Sequence, residues 1–555
     1  MSEKMYLTLR VDGMTCDSCA RHVTEALNGV KGVEHATVGN WKDSKASVVA
    51  RETVDEEYLL EAVKNAGYQA IVRERKGPGE RQEPLKKSDT DYDLVIIGGG
   101  SAAFAAAIKA SELKKQVLMI NEGLPIGGTC VNVGCVPSKT LIRTAEAFYH
   151  TNHTTFEGIK TNGSTLDFKT VIRQKRELVE SLRNKKYIDI IKDDPNVKVI
   201  EGRGKLVNKN SIVVNGETYT SHYILIATGS STVIPDIPGL DKVSYLTNDT
   251  LYELENLPEH ILIIGGRYIA LENAQMLARL GSKVTLLQRS NRILPDEMPD
   301  ITETLTDYLK EEGIDVKTGV TLQSVTTSGD TIIVKATVGD EEEVLKGTHL
   351  FIATGRKGNT KHLGLEELGI EIFGKDFIHT DDVLKTSVPN IFAAGDVTGQ
   401  NLFVYTAAYE GALAVDNMFG DILTAKNYHP LPWVIFTDPQ VAGVGHDENS
   451  ASAAAIEYDV SVMPLSAIPR SLAARNTKGF IKLIRNKADD TLIGARILAS
   501  EGSEILMEVS LAMKYGITAN ELKHMFHPYL TLSEGVKLAA IGFDKDVGKL
   551  SCCAA

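Results

Sequence analysis

A mixed α/β chain of several domains follows from three features of the sequence. Residues 5 to 74 alternate strand and helix patterns in the order βαββαβ, a ferredoxin-like arrangement. Two apolar runs, DLVIIGGG and HILIIGG, each break at a glycine cluster and continue as an apolar helix, the start of a doubly wound, Rossmann-like unit. Between the front unit and the first of these runs, RKGPGERQEPLKKSDTD is charged, carries Gly and Pro and lacks an apolar period, so it reads as a linker.

The bulk properties narrow the function. A chain of 555 residues has room for several cores, and a formal net charge of −13 argues against a nucleic-acid or anionic-membrane binder. Small molecules and proteins are the expected partners. The opening MSEKMYLTLRVDGMTC has no basic segment leading into a long apolar one, and no stretch is long and apolar enough to span a bilayer. The expectation is a cytoplasmic protein without membrane insertion. In a reducing compartment sparse cysteines are catalytic or metal-binding more often than structural. All six fall in pairs: Cys16 with Cys19, Cys130 with Cys135, and Cys552 with Cys553.

In the front unit the strands YLTLRV, VEHATV, KASVVA and YQAIVRE enclose the helices CARHVTEALNGV and DEEYLLEAVKNAG. GMTCDSC joins the first strand to the first helix, placing Cys16 in an exposed loop and Cys19 near a helix start, where the dipole lowers a thiol's pKa. Two thiols without further ligands do not complete a tetrahedral zinc site but suit a soft ion of low coordination number. This motif in this strand order resembles the heavy-metal-associated domain of copper chaperones and metal-transport ATPases.

DYDLVIIGGGSAAFAAAIKASEL is a buried strand, a glycine turn and an apolar helix. Gly98, Gly100 and Ala103 fit the G-x-G-x-x-G/A fingerprint, whose small residues let a helix N-terminus approach a pyrophosphate. The next strand, QVLMINE, ends on Glu122, at the distance expected of an acid that accepts from a ribose hydroxyl. In GGTCVNVGCVPSKT, four residues separate Cys130 from Cys135, and PSK opens a helix with Pro137 near its first turn. A C-x-x-x-x-C stretch after such a fingerprint resembles the redox-active disulfide of the pyridine nucleotide disulfide oxidoreductases, from about residue 91 to the end. The resemblance implies FAD, with Cys135 against the flavin, Cys130 as the interchange thiol and Lys139 near the reactive flavin nitrogen. Gly128 and Thr129 belong to the same implied FAD site, as do Ala227, Thr228 and Gly229 of IATGS. Asp396 of IFAAGDV is implied to bind the flavin ribityl chain.

The second nucleotide unit reads HILIIGGRYIALENAQMLARLGSKVTLLQRSNR. Gly265, Gly266 and Ala270 supply its small positions, but Arg267 stands where the middle glycine normally clears space for a pyrophosphate. Its guanidinium either turns aside or contacts a phosphate. The strand VTLLQ ends on Gln288 instead of an acid, followed by Arg289 and Arg292. An amide plus arginines accommodates a 2′-phosphate, which favours NADPH over NADH. By resemblance, Glu272 pairs with Lys139, Tyr268 lies near the nicotinamide and metal pocket, and Gly355 of FIATGRKGN borders the nucleotide site. The chain from about Tyr428 resembles the family's dimerisation domain, which implies a homodimer with shared active sites.

Thiol-reducing members bring a histidine five residues before a glutamate to the site, as acid–base. Here FHPYLTLSEGVKL puts Tyr529 five residues before Glu534, and His527 seven before it. By register Tyr529 takes the base position, as in the mercuric reductase branch of that family; a shift of two residues would restore His527 and a glutathione- or lipoamide-type disulfide reductase. The terminal Cys552–Cys553 pair is an incidental tail, a transient redox pair or two soft ligands, since adjacent Cα atoms about 3.8 Å apart do not suit a relaxed disulfide. The three pairs and the tyrosine register together resemble that branch. The implied reaction is reduction of Hg(II), arriving as thiol complexes, to Hg(0), with Cys552 and Cys553 delivering the ion to Cys130 and Cys135. Mercury-transfer proteins are further candidate partners, and the front domain is either a donor to the tail or a dispensable buffer. The expected divisions are 1–75 for the metal-binding domain, 76–90 for the linker, 91–235 with 354–427 for FAD, 236–353 for NADPH and 428–555 for dimerisation.

Overall fold

The computed structural model describes residues 4–14, 17–38, 41, 44–51, 53–76, 90–546 and 549. Cys16, almost all of the expected linker, and Cys552 with Cys553 lie outside the described residues. The front domain runs β1 (Lys4–Asp12), α1 (Asp17–Asn28), β2 (Val33–Thr37), β3 (Lys45–Arg51), α2 (Glu56–Asn65) and β4 (Gln69–Lys76). Its antiparallel sheet has the order β2-β3-β1-β4. The alternation in β1 sends Met5, Leu7, Leu9 and Val11 into a core shared with Val23 and Leu27 of α1 and Leu59 and Val63 of α2. The βαββαβ order expected from the sequence is present element by element.

The second domain begins with β5 (Tyr92–Ile97), α3 (Ser101–Glu112), β6 (Val117–Asn121), α4 (Gly128–Val133), α5 (Cys135–Asn152), α6 (Phe168–Arg183) and β7 (Val197–Glu201). It continues through β8 (Glu217–Ile226) into the third domain: β9 (His260–Ile264), α7 (Tyr268–Leu280), β10 (Lys283–Leu287), α8 (Pro299–Glu311), β11 (Asp315–Lys317) and β12 (His349–Ile352). The chain then returns to the second domain with β13 (Ile391–Ala393) and α9 (Val404–Phe419). The parallel strands of the two sheets have the orders β7-β6-β5-β8-β13 and β11-β10-β9-β12, and two antiparallel strands, Ser211–Val214 and Lys205–Asn208, extend the first sheet from the start of β8.

Strand β5 shows why both faces of such a sheet must be covered. Leu94 and Ile96 point into a core with α3 and α9, while Val95 and Ile97 point into a second core on the opposite face. Each such side chain contributes about 1.5–3 kcal/mol when fully buried. The alanine-rich sequence of α3 reflects how tightly it meets α9: a Cβ on Gly411 would stand 2.1 Å from the Ala102 carbonyl oxygen.

The last domain is an antiparallel sheet of order β14-β15-β18-β17-β16, made of β14 (Trp433–Ile435), β15 (Gln440–Gly445), β16 (Tyr458–Pro464), β17 (Phe480–Asn486) and β18 (Leu492–Ala499). Helices α10 (Gly502–Tyr515) and α11 (Glu534–Ile541) pack on it through Leu506, Val509, Val536 and Ala540. Met507, Leu511, Tyr515, Phe526, Tyr529 and Leu530 stay exposed on this domain. No helix among the described residues is long and apolar enough to cross a membrane.

Candidate active site

The two nucleotide turns are built alike. Gly98 and Gly265 adopt φ of +132° and +130°, and a Cβ on either would lie 2.1 Å from the Ala227 oxygen or 2.3 Å from the Ala353 oxygen. A side chain at either position would push the turn away from the neighbouring strand. Helices α3 and α7 then start at Gly100 and Arg267 without any side-chain cap, unlike α6 and α2, which Asp167 and Asp55 cap. Uncapped amides at the positive end of a helix, beside Gly128 packed against Gly100, fit a pyrophosphate.

The rest of the first site is drawn together by hydrogen bonds between distant segments. The Thr228 hydroxyl donates to the Asn359 carbonyl (2.7 Å) and the Asn359 amide to the Thr228 carbonyl (2.9 Å). Asp396 accepts from the Ser230 hydroxyl at 2.6 Å, and Arg356 holds Ser230 from the other side at 2.6 Å. Buried Glu410 on α9 receives the Gly395 amide (2.7 Å) and the Tyr428 hydroxyl (2.7 Å), fixing the turn that presents Asp396. Glu122 is exposed at the end of β6, paired with Arg203 at 2.8 Å.

Cys130 lies in α4 and Cys135 is the first residue of α5, the two helices separated only by Gly134. Asn132 anchors α4 by donating to the Pro125 (2.8 Å) and Gly128 (2.9 Å) carbonyls. Both cysteines are thiols, and they hydrogen-bond to each other. That bond, donated by Cys130, is the largest cause lowering Cys135 from 9.0 to about 7; desolvation opposes it and the Lys139 charge assists. The same bond and burial push Cys130 upward. Cys135 is exposed by surface area, yet enough protein surrounds its sulfur for desolvation to count. Its place at the start of α5 adds the helix dipole in the same direction. The two thiols are pushed in opposite directions, Cys135 toward the thiolate and Cys130 toward the protonated form.

One turn along α5, Lys139 Nζ donates to Glu272 Oε2 at 2.6 Å. Glu272 is buried in α7, and its other oxygen accepts from the Phe436 amide at 2.9 Å. Lys139 also lies over the Phe436 ring, 4.7 Å from its centroid. The pair therefore ties the dithiol helix, the second nucleotide helix and the last domain together.

At the second nucleotide turn, Arg267 turns aside: it is exposed and pairs with Asp296. Gln288 is buried, Arg289 is exposed, and Arg292 has a buried Nη1 with no hydrogen-bond partner. An orphaned guanidinium nitrogen beside a strand end that lacks an acid fits a phosphate group. Ala270 is fully buried, and Gly355 takes a positive φ of +111° in the returning segment. Tyr268 is half-buried, its ring stacked on Trp433 with centroids 5.7 Å apart; burial pushes its phenol up to about 12.

His527 is not paired with Glu534. Its Nε2 meets Glu508 of α10 at 2.6 Å, while Glu534 receives the Leu530 amide at 3.2 Å. Tyr529 is 51% exposed on the face that also shows Phe526. In the front domain, Cys19 sits in the first turn of α1 and packs against its core.

Two tyrosines that the sequence reading passed over stand near the dithiol. Tyr187 lies in a π-helical turn, 184–188, that follows α6; its ring meets Phe104 edge-on at 4.9 Å. Burial raises its pKa, with the Cys130 and Cys135 charges adding to it. Tyr405, near the start of α9, donates to the Pro432 carbonyl at 2.6 Å and has its pKa raised by burial, Tyr268 and Cys135. Neither tyrosine sits in a motif, and a π-turn leaves no apolar period to detect. Glu146, His150 and Asp438 form a separate cluster, but Arg143 (2.8 Å) and Arg279 (3.0 Å) already neutralise its carboxylates.

Residues 92–412 match the pyridine nucleotide-disulphide oxidoreductase family, residues 431–540 its dimerisation domain and residues 8–69 the heavy-metal-associated domain. A mercuric reductase of Staphylococcus aureus is 40% identical over 558 residues, covering 100% of both chains. The chain belongs to the mercuric reductase family. Another member, from Bacillus cereus, is 41% identical over 98% of this chain and 86% of its own. The member from Streptomyces lividans is 42% identical over 85% of this chain and its entire own length. Among solved structures, the Cu(II) complex of the HOCl-induced flavoprotein disulfide reductase RclA from Escherichia coli is similar, with a TM-score of 0.73. It is 30% identical and covers 81% of this chain and 99% of its own. As a family member the chain is a pyridine-nucleotide-dependent flavoprotein oxidoreductase with an appended heavy-metal-associated domain.

Proposed function

We propose that this protein reduces Hg(II) to Hg(0) with electrons from NADPH, detoxifying mercury as a cytoplasmic homodimer. The observation that carries the reading is the placed dithiol, Cys130 in α4 and Cys135 at the start of α5, with the Lys139–Glu272 ion pair one turn along. Overall, NADPH and Hg(II) yield NADP⁺, a proton and Hg(0). FAD, when bound, relays two electrons from NADPH to the thiol side.

The chain's own residues set up that relay. The uncapped start of α3 with Gly98, Gly100, Ala103 and Gly128 binds pyrophosphate, and Thr129, Ala227, Thr228 and Gly229 line the same site. Glu122 and Asp396 take ribose and ribityl hydroxyls. On the other side, the start of α7 with Gly265, Gly266 and Ala270 binds the second pyrophosphate, with Gly355 at its border. Gln288, Arg289 and Arg292 read a 2′-phosphate, which favours NADPH. Lys139 holds positive charge beside the flavin and thiolate, and Glu272 keeps that cation in place. Two thiolates suit a soft, near-linear ion, so Cys135 and Cys130, which gives up its proton as the metal binds, receive Hg(II); both lose their hold on it once it is reduced, and Cys130 takes a proton back.

Delivery falls to the tail. Cys552 and Cys553 of the partner subunit take Hg(II) from thiol complexes and pass it inward, with Tyr529 of the partner subunit lining the approach and Tyr268 on the nicotinamide side. Cys16 and Cys19 hold the ion in the front domain before transfer. The thiol-disulfide alternative needs His527 as base, and its 2.6 Å bond to Glu508 instead of Glu534 weighs against that role.

The test is mercury-dependent NADPH oxidation by the FAD-loaded enzyme with Hg(II) in excess thiol. Cys135→Ala is expected to abolish it. Cys552→Ala/Cys553→Ala is expected to lose most turnover with thiol-complexed mercury; full turnover in that variant would sink the delivery role.

A further inference from the structure

Trp433 is the first residue of β14, in the last domain, yet its ring lies against Tyr268 of the second nucleotide unit. The two rings stack with centroids 5.7 Å apart and planes inclined by 23°. The indole is held from other directions as well. Across the strand pair Trp433 faces Gly443, where a Cβ would stand 2.4 Å from the indole Cζ2, so the ring lies on bare backbone. The Arg496 guanidinium is 5.4 Å from the indole centroid and is itself fixed by Glu297 at 2.7 Å. Glu297 belongs to the loop that follows Gln288, Arg289 and Arg292, and Asp296 of that loop takes Arg267, the residue before Tyr268. Nothing in the sequence motif around Tyr268 requires an indole behind it.

We propose that Trp433 is a positioning residue of the nicotinamide site, holding the Tyr268 ring as the wall against which the nicotinamide end of NADPH is placed. This rests on the reading of Tyr268 as a nicotinamide-site residue. A fixed ring costs the incoming nucleotide less ordering than a mobile one, so Trp433 improves binding without touching the cofactor. The adenosine end of NADPH, held at Gln288 and Arg292, does not depend on the stack.

Equilibrium binding of NADP⁺ and of 2′,5′-ADP, which lacks nicotinamide, to the FAD-loaded enzyme separates these contributions. Trp433→Ala is expected to weaken NADP⁺ about two- to tenfold, the range an aromatic pair supplies, and to leave 2′,5′-ADP unchanged. Trp433→Phe, which keeps a stacking ring, is expected to bind NADP⁺ within about twofold of the parent on the same scale. Unchanged or tighter NADP⁺ binding in Trp433→Ala, or an equal loss with both ligands, overturns the proposal. Tyr268→Ala provides the separate check. If it binds NADP⁺ as the parent does, the nicotinamide-site reading of Tyr268 itself fails; if it weakens NADP⁺ while Trp433→Ala is silent, only the role of Trp433 fails.

Discussion

Replacing Cys130 with alanine removes the hydrogen bond that contributes most to holding Cys135 as a thiolate. In the parent that bond, opposed by desolvation and helped by Lys139, brings Cys135 from 9.0 to about 7. A hydrogen bond to an ionised group is worth about 1.5–3 kcal/mol, and one pK unit about 1.36 kcal/mol, so its loss is worth roughly 1–2 units. Because Cys135 is exposed, the lower figure applies, and the expected midpoint in Cys130→Ala is about 8, with Lys139 and the helix start still acting. The direction follows from the sign: a depressed thiol pKa means that thiolate, and the stability it contributes, is complete above the ordinary value of 9.0 and is lost as the pH falls through about 7. The assay is the pH dependence of iodoacetamide alkylation of Cys135 in the reduced, mercury-free holoenzyme, followed by mass spectrometry of the Cys135 peptide. A midpoint that stays at about 7 in Cys130→Ala would refute the assignment of the hydrogen bond as the main cause.

Lys139→Met leaves buried Glu272 with only the Phe436 amide and is expected to cost about 1–3 kcal/mol in a denaturant titration, the range for a buried polar group that loses one partner, since Lys139 itself is partly exposed. Arg292→Ala is expected to raise KM for NADPH about tenfold, as for a lost bond to a charged phosphate, and to leave KM for NADH unchanged. Gly98→Ala places a methyl 2.1 Å from the Ala227 oxygen at a φ of +132°, so the purified variant is expected to carry much less FAD per chain, read from its visible absorbance. His527→Phe is expected to retain mercury-dependent turnover, because His527 pairs with Glu508 on its own chain; a loss of activity to the level of Cys135→Ala would assign it a chemical role.

Local signals carried the sequence reading far. The front domain, both glycine turns and the Cys130–Cys135 stretch are short-range patterns, and each folds as its period and turn chemistry require. Lys139 and Glu272, 133 residues apart, were legible as a pair only through resemblance, and the structure joins them at 2.6 Å. What escaped depends on long-range packing. The Arg267 guanidinium was ambiguous because its partner, Asp296, lies in a loop 29 residues on. His527 was ambiguous for the same reason, its partner Glu508 being on α10. Tyr187 is brought within electrostatic range of the thiols by a π-turn that periodicity does not reveal, and Trp433 reaches Tyr268 across a domain boundary. Polar and aromatic contacts between elements are set by tertiary geometry, whereas strands, helices and glycine turns are largely set by their own residues.

The most direct test of Hg(II) reduction at the Cys130–Cys135 pair compares electron acceptors in one preparation of the FAD-loaded enzyme. NADPH oxidation is followed with Hg(II) in excess thiol, with oxidised glutathione and with oxidised lipoamide, while volatile mercury is collected. Of the three acceptors only Hg(II) is expected to give rapid oxidation, matched by Hg(0) released one for one and absent in Cys135→Ala. Turnover with a disulfide and none with Hg(II) would contradict it.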